Sequence, residues 1–278
     1  MNLLRFLYRS LAGFFMASLF VCLSAQGEQI NKDYLPRSGQ EGKDVIWVPT
    51  PQILVEKMLD MADVTSDDFV IDLGSGDGRL VIAAAKRGAR ARGIEYNQDM
   101  VELSGRNAEN EGVSDRVEFI REDLFESDLS QATVITMFLL TSINVKLRPK
   151  LLELKPGTRI VSNTFTMEEW IADESVSLFD DCDFWCDALL WIIPAKVEGR
   201  WKIPQGELRL NQNFQMVSGT LTTGLNTITI SDGRLYGDQI TFRVNDEKYS
   251  GNVKGNTIEG IVTSTRNSIK WNAVRKGH

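Results

Sequence analysis

Seven consecutive residues in the first third of the chain hold the most chemical information: Asp72-Leu73-Gly74-Ser75-Gly76-Asp77-Gly78. The apolar run from Phe69 to Leu73 reads as a strand, and Gly78 to Gly88 reads as a helix. Glycines at such a junction let the backbone approach a ligand and take up positive φ. The start of the following helix offers free N–H groups to a carboxylate or phosphate. The spacing Gly74-x-Gly76-x-Gly78 brings the third glycine one residue earlier than the dinucleotide pattern GxGxxG. Asp72 and Asp77 also set two carboxylates beside the loop. They would repel a pyrophosphate, but they suit the sulfonium and amino group of S-adenosylmethionine.

Two more clusters fall at similar places. Gly93-Ile94-Glu95-Tyr96-Asn97 ends a second predicted strand, Ala91 to Glu95. Glu95 lies 23 residues after Asp72, near the spacing at which an acid accepts hydrogen bonds from a ribose diol. Arg121-Glu122-Asp123-Leu124-Phe125 follows a third strand, Val117 to Arg121. Asp123 there can take an adenine amino group with Leu124 against the ring, although an isolated Asp is as readily a loop cap. The candidate cofactor residues are therefore Asp72, Gly74, Ser75, Gly76, Asp77, Gly78, Glu95, Tyr96, Asp123 and Leu124.

These clusters need a sheet whose strand ends converge. Helical spacing continues from Gln98 to Gly112, and strands are predicted at Thr133 to Leu139 and Arg159 to Ser162. A helix from Ser142 to Leu152, with Pro149 inside, separates the last two. Such alternation builds an α/β, Rossmann-like doubly wound sheet that is mostly parallel, with ligands at the carboxyl ends of the strands. Leu189 to Ile193 reads as an antiparallel last strand. Ahead of the first strand, Thr50 is placed to cap a helix with Pro51 in its first turn.

After Pro194 the periodicity changes to two, as in Gln239-Ile240-Thr241-Phe242-Arg243-Val244, with turn residues between runs. This predicts a small C-terminal antiparallel β-sandwich or barrel. Trp201, Tyr236, Tyr249 and Trp271 are expected as its core aromatics. The division is then 1–25 targeting segment, 26–46 linker, 47–196 catalytic domain and 197–278 β-rich domain. Charge supports the last boundary: residues 26–196 carry a balance of −13 and residues 197–278 one of +4.

The chain has 278 residues, a formal charge of −7 and one histidine, His278, at its very end. That argues against His-based acid–base catalysis, Ser-His-Asp triads and His-rich metal sites. The acidic balance argues against nucleic acid as partner. Cys22, Cys182 and Cys186 contain no CxxC pair, so no metal site is expected. Cys182 and Cys186 could bond only across a tight turn, because four residues apart is awkward on a helix and impossible along a straight strand. Residues 1–25 hold Arg5 and Arg9, no acid, an apolar run from Leu11 to Val21, and small residues at the end. This is a secretory signal pattern, and residues 3–25 form a membrane tether if they stay uncut. The expected location is exported, periplasmic or membrane-anchored; a mitochondrial presequence is the alternative.

From Trp47 to Trp170 the sequence resembles the class I, seven-strand methyltransferases. More narrowly, it is similar to the archaeal protein-lysine methyltransferases and to the mitochondrial lysine methyltransferases that act on the c-ring protein of ATP synthase. The shared residues are Val48-Pro49-Thr50, Asp72 to Arg79, Phe138-Leu139-Leu140-Thr141, Leu154-Lys155-Pro156-Gly157 and Val161-Ser162-x-x-Phe165 to Trp170. The leader and the β-rich tail have no counterpart in that pattern. The resemblance implies an S-adenosylmethionine-dependent N-methyltransferase acting on a protein lysine or a small amine. It implies an acceptor channel lined by Trp47, Pro49 and Phe138, with Thr50, Thr141 and Ser142 as catalytic candidates that would orient the nucleophile. Two other readings stay open: an exported non-catalytic nucleoside-binding or interaction module on this fold, and a NAD-linked oxidoreductase. The sequence is silent on oligomeric state.

Overall fold

The computed structural model describes residues 34–180, 182–265 and 267–277. The targeting segment 1–25, the first part of the linker and His278 lie outside them.

The first half is a three-layer α/β unit. Its elements are α1 (Gln52–Met61), β1 (Phe69–Leu73), α2 (Arg79–Lys86), β2 (Arg90–Glu95), α3 (Gln98–Asn110), β3 (Val117–Arg121), β4 (Val134–Met137), α4 (Thr141–Leu151), β5 (Arg159–Asn163), β6 (Glu174–Ser177) and β7 (Asp187–Ile192). The sheet order is β3-β2-β1-β4-β5-β7-β6. The first five strands run parallel, and β7 is antiparallel to both neighbours. Successive strand residues face opposite layers. Val70, Val134 and Val161 pack with Leu54, Met58 and Val81 of α1 and α2. Ile71, Ile135 and Ile160 pack on the other face with Ile143, Leu147 and Leu151 of α4.

Two details differ from the sequence reading, and a third, the pairing of Cys182 with Cys186, is one that it leaves open. The antiparallel strand is not the sheet's edge: β6 lies outside it, and its Glu-Ser-Val-Ser sequence, mostly exposed, lacks the apolar signal of a strand. Thr50 does not cap α1. Pro51 holds that position without a side-chain cap, and the Thr50 hydroxyl instead accepts a hydrogen bond from Asn163 Nδ2. Cys182 and Cys186 are disulfide-bonded, with Cα atoms 5.8 Å apart across the bend at residues 183–185. That bend supplies the tight turn that neither helix nor strand could.

The second half contains β8 (Gly199–Ile203), β9 (Gly206–Asn213), β10 (Met216–Thr223), β11 (Asn226–Thr229), β12 (Ser231–Tyr236), β13 (Gln239–Val244), β14 (Glu247–Lys254), β15 (Thr257–Thr263) and β16 (Ser268–Arg275). Antiparallel pairing runs from β10 through β12 to β16, then β8 and β9, and returns to β10. Eight strands thus close a barrel, and β11 pairs with β10 along the same edge as β12. Trp201, Phe242, Tyr249 and Trp271 are buried inside it. Tyr236 is half exposed instead, because it ends β12 on the outward-facing register.

The barrel interlocks with the sheet. Phe214, in the β9–β10 turn, stacks flat on Trp170 with centroids 5.4 Å apart. Arg148 lies over the same ring of Phe214. Asp173, its carboxylate almost wholly buried, pairs with Arg234 of the barrel and accepts the backbone N–H of Ile192.

Candidate active site

The glycine loop between β1 and α2 closes the carboxyl end of the sheet. Gly74, Gly76 and Gly78 all have positive φ. At Gly76 a side chain is also sterically barred, since a Cβ would fall 2.5 Å from Trp47 Nε1. At Gly78 it would meet Ser104 and Phe119 at under 3 Å. The loop is tied from two sides. Glu95 at the end of β2 accepts the N–H of Gly76 at 3.0 Å and of Asn97 at 2.9 Å. Asn107 of α3 donates to the Asp77 carbonyl at 2.9 Å.

Asp72 is 2% exposed and accepts a hydrogen bond from the Thr136 hydroxyl at 2.6 Å. Burial pushes its carboxyl up to about 7; the Thr136 bond opposes this, and the nearby charges of Glu95 and Asp77 add to it. Asp77 is not a second free charge. Both its oxygens pair with Arg79, whose other arm donates to the Thr50 carbonyl. The expectation that Asp77 faces a cationic ligand is therefore revised: Arg79 neutralises it.

A pocket of about 980 Å³, counting its open mouth, lies over this loop. Its wall brings together Asp72, Gly74, Ser75, Gly76, Asp77, Glu95, Tyr96, Asp123 and Leu124 with Trp47, Pro49, Thr50 and Phe138. Gly78 stands just behind this wall as the N-cap of α2. Thr141 and Ser142 are not brought to it. They form the first turn of α4, with Ser142 exposed and no side-chain cap bond made by the helix.

Several site residues escaped the sequence reading. Residues 40–46, read as linker, form part of the pocket wall. Hydrogen bonds between Gly39 and Trp47 and between Trp47 and Gln40 fold that segment back on itself. Lys43 reaches from it to Asp123 at 2.5 Å and sits 4.6 Å over the Tyr96 ring. Its hydrogen bond holds the Asp123 carboxyl below the usual range, helped by the N–H of Phe125. Asp123 thus acts as a loop cap and as a pocket residue at once. On the other side, buried Asn144 donates to the carbonyls of Phe165 and Thr166, and buried Asn163 binds Thr50 and Thr164.

Comparison with known proteins explains this arrangement. The ANTKMT methyltransferase domain family matches residues 72–174. A protein-lysine N-methyltransferase of Saccharolobus islandicus (strain REY15A) is 46% identical over 139 residues, covering 49% of this chain and 86% of that protein. The chain belongs to this methyltransferase family. A lysine N-methyltransferase of Xenopus laevis named for the c-ring protein of ATP synthase is 34% identical over 46% of this chain, which spans 56% of that enzyme. A crystal structure of an RNA methyltransferase from Salinibacter ruber in complex with S-adenosyl-L-homocysteine is 48% identical. It superposes with a TM-score of 0.51 over 54% of this chain and 96% of that one.

As a member of this class the methyltransferase uses S-adenosylmethionine, and the NAD-linked reading is set aside. The residues present fit that donor. Ser75 Oγ is buried in the pocket wall without a hydrogen-bond partner among the described residues. Asp72 is a buried acid whose carboxyl is pushed up chiefly by desolvation, which a cationic ligand would compensate. At Gly76 the missing side chain lets Trp47 pack directly onto the loop.

Proposed function

We propose that this methyltransferase transfers the methyl group of S-adenosylmethionine to the ε-amine of a protein lysine. The observation that carries the reading is a single pocket lined both by Asp72, Glu95, Asp123 and the glycine loop and by Trp47, Pro49, Thr50 and Phe138. The first group would take the donor, and the second would form the acceptor side. Asp72 and Ser75 would face the donor's amino acid portion, Glu95 its ribose, and Asp123 with Leu124 and Tyr96 its adenine. The donor supplies an activated methyl group, so positioning carries most of the rate. Thr50, fixed by Asn163, would orient the incoming amine in place of Thr141 or Ser142. Relatives named as lysine N-methyltransferases support the acceptor class. The name of the Salinibacter ruber relative keeps RNA as the competing acceptor, against which the acidic catalytic domain speaks.

The leader composition and the Cys182–Cys186 bond both support an exported or membrane-tethered enzyme, since disulfides persist in oxidising compartments. No helix among the described residues is long and apolar enough to cross a membrane. An exported enzyme would need its donor, made in the cytoplasm, to reach it; cell fractionation of the tagged protein tests this directly.

The acceptor test uses labelled S-adenosylmethionine and cell extract, with Asp72→Ala as control. Protease-sensitive label recovered as methyl-lysine supports the proposal. Nuclease-sensitive label favours RNA, and equal incorporation with Asp72→Ala removes the enzymatic role of the pocket.

A further inference from the structure

Three aromatic rings from three separate segments meet beside the acceptor side of the pocket. Phe138 follows β4 and lines the pocket wall. Phe165 follows β5, its carbonyl held by Asn144 and Ser162. Trp185 belongs to the β6–β7 connection, inside the loop closed by Cys182 and Cys186. Their centroids lie 5.9 Å (Phe138–Phe165), 5.8 Å (Phe138–Trp185) and 5.4 Å (Phe165–Trp185) apart. Phe138 and Phe165 are half-buried, whereas Trp185 is 41% exposed. The rings therefore make a wall that leads from the pocket out to solvent.

Trp185 has φ +59°, a left-handed conformation that bulky residues rarely adopt. Such strain persists only where the surroundings impose it, and it gathers at ligand-binding segments. Here Trp185 lies within the five-residue ring closed by the disulfide. The β6–β7 connection carries Asp180 and Asp183, so its charge favours a cation.

We propose that Phe138, Phe165 and Trp185 form the entry channel for the acceptor's lysine side chain, with the Cys182–Cys186 bond holding the outer wall in position. This rests on the lysine reading above and adds the residues that select the acceptor. Aromatic faces attract an ammonium group within about 6 Å of their centroids. They also strip it of water, and desolvation lowers a lysine's pKa, so the proton leaves to solvent. The neutral nitrogen then forms its bond to the methyl carbon while the carbon–sulfur bond breaks. The bonding pair passes to sulfur, which leaves as neutral S-adenosylhomocysteine, and the product is a methylammonium. A dithiol such as dithiothreitol would open the loop by giving two electrons and two protons to the cystine, becoming a disulfide itself. Trp185 would then relax, and the channel would lose its outer wall while the donor side stays intact.

The test uses the full chain with poly-L-lysine as acceptor probe and S-adenosylhomocysteine calorimetry as donor probe. Trp185→Ala should raise KM for poly-L-lysine roughly five- to tenfold, in line with the loss of one aromatic face. Its kcat should change less than about twofold, and Trp185→Phe should recover most of the loss, since a second aromatic face remains. Dithiothreitol should raise KM similarly in the unaltered chain and have no effect on the Cys182→Ser/Cys186→Ser double variant, which should already show the raised KM. Donor affinity should stay constant throughout. An unchanged KM in Trp185→Ala, or indifference of the unaltered chain to dithiothreitol, overturns this inference alone. If the unaltered chain binds S-adenosylhomocysteine but labels no lysine, the acceptor reading falls and this inference falls with it.

Discussion

Replacing Asp72 by Asn tests whether the buried carboxyl is kept for the donor at the expense of the fold. Asn preserves the size of the side chain and an oxygen that accepts the Thr136 hydroxyl. What it removes is an ionisation that the folded state resists: the carboxyl rises from an ordinary value of 3.8 to about 7. A carboxyl whose folded pKa lies above its unfolded one binds an extra proton in the folded state between the two values. Stability contributed by this group is therefore full below about pH 4, declines as pH rises, and is lost above about pH 7. A shift of about three pKa units at about 1.4 kcal/mol each corresponds to about 4 kcal/mol at pH 8 and about half of that near pH 5.5. Asp72→Asn should accordingly be more stable than the unaltered chain at pH 8, by a margin that shrinks steadily towards pH 4. Urea unfolding of the ligand-free protein at pH 5.5 and 8 measures this difference. Calorimetry should show the converse for function. S-adenosylhomocysteine affinity of the unaltered chain should weaken by up to about tenfold per unit as pH falls below 7. The Asn variant should bind weakly at every pH. An Asn variant no more stable than the unaltered chain at pH 8 refutes the reasoning, because the carboxylate would then carry no desolvation penalty.

Gly76→Ala should lower donor affinity at least tenfold, since the new methyl group must displace Trp47 and hold a positive φ; calorimetry against Gly105→Ala, which has open space, is the comparison. Lys43→Ala should tighten S-adenosylhomocysteine binding a few-fold, because Lys43 lies on Asp123 and over Tyr96 where adenine is expected; weaker binding in the variant would mean that Lys43 assists the donor instead. Asp68→Ala removes the buried partner of Arg159 at the opposite end of the sheet. It should cost about 3 kcal/mol in unfolding free energy and leave the activity per folded molecule unchanged. Phe214→Ala should cost about 2 kcal/mol by uncovering Trp170, and a melting curve in which only the barrel signal shifts would argue against the interlock.

The glycine loop was legible because its residues are contiguous and their conformations are local: three glycines and a strand-to-helix junction specify positive φ without help from the rest of the chain. The sheet was legible through its apolar runs. What stayed hidden depends on partners distant in sequence. Lys43 lies 80 positions before Asp123, and the polar 40–46 segment has no periodicity to reveal that it folds over the pocket. Arg79 neutralises Asp77 through a rotamer choice that composition does not record. Asn144 and Asn163 look like ordinary polar residues of a helix and a strand end until burial leaves each only a few specific partners. β6 was missed because an exposed edge strand need not be apolar. The disulfide depended on a bend whose geometry the spacing alone could only permit.

The stacking of Phe214 on Trp170 and the pairing of Arg234 with buried Asp173 lock barrel and sheet to one another. Anything that grips the barrel also takes hold of the pocket's bearing. A cargo moored there would meet the methyl group at one fixed angle, much as a workpiece meets a tool through its clamp.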